Sequence, residues 1–253
     1  MTSSSSTDSV DSSIPPHKIV PATAKNFVHP HVLWESQNAS LAHPLEVLCP
    51  IAVKHGFYLA GGIGLGVHLR HRVSEDLDFF VHRAFDPMAL ADELQQIDPS
   101  GAAGLISRNT LYWSVGSRHG IKVSFIAAQG RSSEVSISKA MGQSVPVASL
   151  LDIAAMKSVA IIGRRDCRDY IDLASIVKLG GVSLKRILEY NGDKLQGTHY
   201  NAATFVRSLN YFEDLGSNDL PTMTVRLTWQ DAKEIIQGAI QEMMPSVRPK
   251  KPG

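Results

Sequence analysis

Only two cysteines, Cys49 and Cys167, occur in the 253 residues. Two thiols supply neither a disulfide framework nor a zinc-ligand spacing, so a reducing cytoplasm is the expected setting. No apolar run approaches the ~20 residues needed to span a bilayer. The longest candidate, Leu150 to Ile162, is broken by Asp152 and Lys157. The N-terminus is rich in serine and has no apolar core, so it does not read as a secretory signal, and no membrane partner is expected. An excess of one charge is also missing. The formal net charge is +1, so no global field marks the chain as a polyanion coat. A local basic patch remains open, with Arg70-His71-Arg72, Arg164-Arg165 and Arg168 as candidates. No internal repeat is visible.

The remainder is ordinary for a soluble domain, at 43% hydrophobic and 19% charged residues. That length can bury a real core. Residues 1–28 open on Ser, Thr and Asp, which bury too little apolar surface to offset chain entropy, and are expected to be a disordered tail. Residues 246–253, with Arg248-Pro249-Lys250-Lys251-Pro252, are expected to be a second tail.

Between the tails the pattern changes once. His43 to Lys54 reads as a helix, Phe57 to Ala60 as a short strand, and Ile63 to Leu69 as a helix start. Asp76 to Val81 reads as a strand and Met88 to Gln96 as a helix. Thr110 to Val115 and Ile121 to Ala127 alternate and are joined by Gly116-Ser117-Arg118-His119-Gly120, the mark of a β-hairpin. Val145-Pro146-Val147 is expected at a sheet edge, because proline cannot donate to a ladder. From Ser149 onward the period is helical, over Leu150 to Ile162, Asp169 to Leu179, Ser183 to Tyr190, Ala202 to Phe212 and Trp229 to Met243. The expected organisation is α+β: a mixed-sheet domain over 29–148 and a helical domain over 149–245.

Chemistry concentrates in Gly61-Gly62 and in His71-Arg72-Val73-Ser74-Glu75-Asp76-Leu77-Asp78. A strand puts residues i and i+2 on one face, so Asp76 and Asp78 would point the same way. Two hard oxygen ligands suit Mg²⁺, or Mn²⁺ in its place, completed by substrate phosphates. Gly-Gly lets backbone amides approach an anion, and the following helix N-terminus favours phosphate. Taken alone, Asp-x-Asp is common and Gly-Gly is usually a turn. Their combination on an apolar strand points to phosphoryl or nucleotidyl transfer, because acids on such a strand must be exposed or satisfied.

A second group lies in the helical half. Lys157 sits in an apolar helix, either snorkelling at the core edge or aimed into a phosphate site. Asp169 and Asp172 share a helix face at i and i+3, either as a salt-bridged surface pair or as part of a site.

The run Tyr58-Leu59-Ala60-Gly61-Gly62 … His71-Arg72-x-Ser74-x-Asp76-Leu77-Asp78-Phe79-Phe80 resembles the AbiEii/AbiGii toxin family of nucleotidyltransferases, a polymerase-β-like group. Asp152-x-x-x-x-Lys157, Arg164 … Asp169-Tyr170-Ile171-Asp172-Leu173, and Tyr211-Phe212-Glu213-Asp214 with Pro221 and Trp229 extend the resemblance. It covers roughly Leu41 to Ile240. The resemblance implies a polymerase-β-like domain followed by helices. It also implies Asp76 and Asp78 as Mg²⁺ ligands, and Gly61, Gly62, Arg72 and Ser74 near the triphosphate. Lys157 would lie on the nucleotide phosphates, with Asp172 completing the catalytic set. An NTP, a tRNA acceptor end and a cognate antitoxin are the implied partners.

Two positions depart from the family pattern. Ser124, in Ile121-Lys122-Val123-Ser124-Phe125, stands where a third carboxylate is expected, and Gly64 and Gly66 replace small or apolar helix formers. The acceptor hydroxyl would then be activated by metal or by Asp169 or Asp172. Two rival readings stay open. One is transfer to a protein hydroxyl, which the near-neutral charge favours because RNA binding usually needs a basic surface. The other is a non-catalytic nucleotide- or partner-binding module.

Overall fold

The computed structural model describes residues 30–116, 120–128, 134–194, 200–211, 215 and 220–247. The expected tail over 1–28, the hairpin connection at 117–119, Phe212-Glu213-Asp214 and the basic residues beyond 247 lie outside them. Helix α1 (Pro30–Gln37) and a 3-10 turn lead into α2 (Ala42–His55). Helix α2 buries Leu45, Leu48, Cys49 and Ile51, and stops at Gly56 with φ 69°, a left-handed cap that suits a residue without Cβ. Strand β1 (Tyr58–Leu59), helix α3 (Gly61–Leu69), strand β2 (Leu77–Val81) and helix α4 (Pro87–Ile97) follow. Asp86 caps α4 by accepting from the Met88 and Ala89 amides. Strands β3 (Ala102–Ser107), β4 (Thr110–Val115), β5 (Ile121–Ala127), β6 (Val135–Ala140) and β7 (Gln143–Ala148) come next. Helices α5 (Leu150–Arg164), α6 (Cys167–Gly180), α7 (Leu184–Lys194), α8 (Ala202–Leu209) and α9 (Trp229–Val247) complete the chain. Ser149 caps α5 by accepting from the Asp152 amide, the switch point read from the sequence.

The strands form one mixed sheet in the order β3-β4-β5-β2-β1-β7-β6. Strand β2 lies parallel to β5 and antiparallel to β1, and β1 is parallel to β7. Alternation decides what each face carries. Leu77, Phe79 and Val81 of β2, with Leu111, Trp113, Val123 and Phe125, join residues of α2 and α4 in one core. The Phe79 and Phe125 rings stack there, 5.4 Å apart. Asp78, Phe80, Tyr112 and Ser124 take the opposite parity and line a cleft. A second core collects Tyr58, Ala60 and Leu65 with residues of α5 to α9. Helix α6 is its axis and is buried from Cys167 to Ile176 apart from Arg168.

One sheet expectation is corrected. Val145-Pro146-Val147 is not at an edge, because β7 lies between β1 and β6. Pro146 is tolerated because the β1–β7 ladder is a single register pair, Leu59 opposite Val147. The strands at the two edges, β3 and β6, show little burial alternation, so little in the sequence marks them.

Candidate active site

The strand β2 carboxylate, Asp78, lies against the start of α3. A Cβ on Gly61 would fall 2.1 Å from Asp78 Oδ2, so only glycine allows this approach, and Gly61 also takes φ 59°. A Cβ on Gly62 would fall 2.3 Å from Ser74 Oγ and 2.8 Å from Arg72 Nη2. The two glycines thus bring the α3 N-terminus, Asp78, Ser74 and Arg72 together. Asp76 immediately precedes β2 and also lines the cleft. Burial pushes the Asp78 carboxyl above its ordinary pKa. The Ser124 hydrogen bond and the Lys157 charge oppose that rise, and the Asp76 charge adds to it. Ser124 stands directly across the ladder from Asp78.

The loop from Arg70 to Ser74 is held from three sides. The Trp34 indole N–H donates to the Arg72 carbonyl at 3.0 Å, and Asn38 Oδ1 accepts from the Ser74 amide at 3.0 Å. Residues 222–224 pair along its edge, with Val73 N donating to Thr222 O at 2.8 Å and Thr224 N to His71 O at 3.0 Å. The third hold is Asp172, fully buried in α6. One of its oxygens accepts from His71 Nε2 at 2.8 Å and Arg72 Nε at 2.6 Å. The other accepts from Arg72 Nη2 at 2.9 Å and meets Lys157 Nζ at 2.6 Å. Burial alone would raise the Asp172 pKa, but Lys157, Arg72 and these hydrogen bonds hold it well below the usual carboxylate range. Burial pushes the His71 imidazole down, despite Asp172, so the ring is neutral and donates through Nε2.

Lys157 connects this cluster to the cleft. Its Nζ also donates to Asp169 Oδ1 at 2.8 Å. Burial works against its charge, yet Asp172 and Asp169 outweigh burial and raise its pKa. An ammonium has three N–H donors, and two are committed to carboxylates. The third is left for the cleft that Lys157 lines. Asp169 is equally enclosed and accepts Arg164 Nε at 2.8 Å and Nη2 at 3.0 Å. The Arg164 side chain is itself 63% exposed at the rim.

The cleft holds about 2040 Å³, with Gly61, Gly62, Arg72, Ser74, Asp76, Asp78 and Lys157 on its walls. One wall is the sheet face with Asp78 and the loop residue Asp76 beside it, and the other is the basic end of α5 and α6. Residues 46–251 match the family described as nucleotidyl transferase AbiEii toxin of a type IV toxin–antitoxin system. The chain belongs to the AbiEii nucleotidyltransferase toxin family. A protein of Aquifex aeolicus (strain VF5), itself called uncharacterized, is 30% identical over 207 residues, 79% of this chain and 94% of its own. Among solved structures, MenT4, a nucleotidyltransferase toxin of Mycobacterium tuberculosis H37Rv, matches with a TM-score of 0.52 at 14% identity. That match covers 86% of each chain and speaks to the fold. An antigenic nucleotidyltransferase-like protein from Paracoccidioides brasiliensis gives a TM-score of 0.39 at 13% identity over 83% of this chain and 89% of its own.

This AbiEii-family chain is therefore a nucleotidyltransferase of the toxin class, built on a mixed α+β fold, and the family's type IV system implies an antitoxin partner. Among the described residues, no helix is long and apolar enough to cross a membrane. No group of three or more His, Cys, Asp or Glu side chains among them forms a metal cage. Asp76 and Asp78 line the same cleft, and two carboxylates completed by substrate phosphates and waters would fit Mg²⁺.

Of the expected site residues, Gly61, Gly62, Arg72, Ser74, Asp76, Asp78 and Lys157 share the cleft. Asp172 does not line it. Both Asp172 oxygens are committed to His71, Arg72 and Lys157. Its place behind Arg72 and Lys157 suits a hold on two cations. Asp169 is likewise occupied, by Lys157 and Arg164. Sequence reasoning missed Trp34, Asn38 and the 222–224 segment, whose contacts with the loop join distant parts of the chain.

Proposed function

We propose that this nucleotidyltransferase moves a nucleoside monophosphate from an NTP to the terminal hydroxyl of an RNA, a tRNA end being the favoured acceptor, in the presence of Mg²⁺. The carrying observation is the cleft that Asp76 and Asp78 share with the cations Arg72 and Lys157, with Asp78 against the Gly61-Gly62 turn. Asp76 and Asp78 would hold the ion. When bound, Mg²⁺, or Mn²⁺ in its place, neutralises charge on the phosphate oxygens.

The chain's own residues supply the rest. The amides at the α3 N-terminus and the Ser74 hydroxyl take phosphate oxygens. Lys157 and Arg72 place fixed positive charge where the departing pyrophosphate gathers negative charge. The acceptor hydroxyl oxygen forms a bond to the α-phosphorus and gives its proton to solvent, the bond to the oxygen bridging to the β-phosphate breaks, and pyrophosphate carries off the electron pair. Asp169 and Asp172 do not take the acceptor proton, because their oxygens are held by cations. Positioning and charge stabilisation provide most of the catalysis in such transfers.

Incubation with α-labelled NTPs, total RNA and cell extract tests the reading. Label on RNA that disappears in Asp78→Asn supports it. Label on protein would favour the rival acceptor, which the net charge of +1 makes the natural alternative. No label with any NTP would leave a nucleotide- or partner-binding module.

A further inference from the structure

The geometry points to a subsite for the unpaired end base of a nucleic-acid acceptor on the cleft-facing side of β4 and β5, formed by Tyr112 and Lys122. The inference rests on the transferase reading above and assigns the acceptor side of its site. Tyr112 stands opposite Ser124 across the β4–β5 ladder, and Ser124 stands opposite Asp78 across the β5–β2 ladder. The three side chains therefore form one row on one face, all lining the cleft. Tyr112 lies two strand spacings, roughly 10 Å, from Asp78. A base lying on the Tyr112 ring would put its own ribose between the ring and the carboxylates.

Exposure separates Tyr112 from the aromatic residues around it. Trp113 and Phe125 are buried in the core on the other face, whereas Tyr112 is 43% exposed inside a concave wall. A half-exposed ring in a cleft costs apolar surface unless a ligand covers it. A base does so regardless of its identity, because every base has a π-face.

Lys122 supplies the second half of the subsite. It is two residues from Ser124 on β5, faces Ser114 across the ladder and is exposed at the cleft wall. Among the described residues it makes no ion pair, unlike Lys157, Arg164 and Arg168, which are all held by carboxylates. On a sheet face, Lys122 and Tyr112 are diagonal neighbours, roughly 7–8 Å apart. A stacked base and the phosphate behind it present that combination of flat ring and single negative charge. A protein hydroxyl acceptor offers neither by default, which makes the single-stranded RNA end the occupant.

The test uses full-length protein and a fluorescein-labelled RNA hairpin with a short single-stranded 3′ overhang ending in a 3′-deoxy sugar, so that binding is read without transfer. Anisotropy titrations give the affinity, and calorimetry with a non-hydrolysable NTP gives nucleotide affinity in parallel. Tyr112→Ala should weaken the overhang by roughly 5- to 150-fold, the span of one base–aromatic stack, while NTP affinity stays unchanged. Tyr112→Phe should restore binding. Lys122→Gln should lower the log–log salt slope by about 0.7. If wild-type protein binds the hairpin but labels nothing, the stacking subsite stands and the transferase reading falls. The subsite is overturned if Tyr112→Ala binds the overhang as wild type does, if NTP affinity falls in step, if wild type ignores the overhang, or if label from α-labelled NTP goes to protein.

Discussion

Replacing Asp172 should expose how the fold holds its cations. The carboxylate is fully buried, and it is the counter-charge of a nearly buried Arg72. Arg72 has a side chain only 6% exposed, and Asp172 is the one carboxylate it bridges among the described residues. Removing one partner of such a pair costs about 3–5 kcal/mol, because the other charge stays buried and uncompensated. For a chain of this size each kcal/mol moves Tm by about 2–4 °C, so Asp172→Asn should lower Tm by roughly 6–20 °C. Asparagine preserves shape, so the loss isolates the charge.

The assay is thermal unfolding followed by circular dichroism on Asp172→Asn, Arg72→Met and the double variant Asp172→Leu/Arg72→Met. The double variant should cost less than the sum of the singles, because neither charge is then left alone. Asp172 has a depressed pKa in the folded chain. Its contribution is therefore complete above the ordinary value of about 4 and is lost as pH falls through the folded value. The gap between wild type and Asp172→Asn should close as pH drops below about 4. Single variants within about 0.5 kcal/mol of wild type, or singles that add without coupling, would refute this account of the cluster.

Three further outcomes are expected. Gly61→Ala should abolish transfer and cost about 1–3 kcal/mol by chemical denaturation, since the new methyl would meet Asp78 Oδ2 at 2.1 Å. Gly56→Ala also has positive φ but nothing within 4 Å, and should leave transfer intact; equal inactivation of both would remove the cradle argument. Asp78→Asn should abolish transfer while raising Tm at neutral pH, because burial lifts the Asp78 pKa and its charged form destabilises the fold above that value; an unchanged rate would remove Asp78 from the site. Burial holds the folded His71 pKa below the ordinary imidazole value of about 6.5, so unfolded chains take up a proton that folded chains do not, and stability should fall as pH drops below that value. His71→Gln should flatten this limb of the stability profile, and an unchanged slope between pH ~5 and ~6.5 would rule the residue out as its source.

The parts of the site that sequence reveals are local. Gly61, Gly62, Asp76 and Asp78 fall within one strand–helix–strand passage, where period 2 and a glycine pair carry geometric meaning. The hairpin bounds Thr110–Val115 and Ile121–Ala127 are legible for the same reason. The hidden parts are relations between distant segments. The Trp34 bond to Arg72 spans 38 residues and the Asp172 bonds to Arg72 span 100. Neighbours in sequence say nothing of either. Asp169 and Asp172 are ambiguous in the sequence for a specific cause: acids at i and i+3 ordinarily mark the solvent side of a helix. Here that side meets Lys157 and the 70–74 loop, so the polar stripe is inside.

That inversion fits the chemistry. A buried ionic cluster is a poor stabiliser, since apolar residues of similar volume often serve as well or better. What it does accomplish is orientation. Asp172 spends its four contacts on His71, Arg72 and Lys157, fixing two cations from behind while each still faces the cleft. A lysine between two carboxylates keeps its charge despite burial and keeps one N–H for the cleft. The sheet half brings the carboxylates Asp76 and Asp78, the helical half brings Lys157, and the 70–74 loop brings Arg72 and ties the halves where they face one another. A nucleotide bound between them would meet charges that need no rearrangement during transfer, and fixed charge is the largest contribution a protein makes to phosphoryl chemistry.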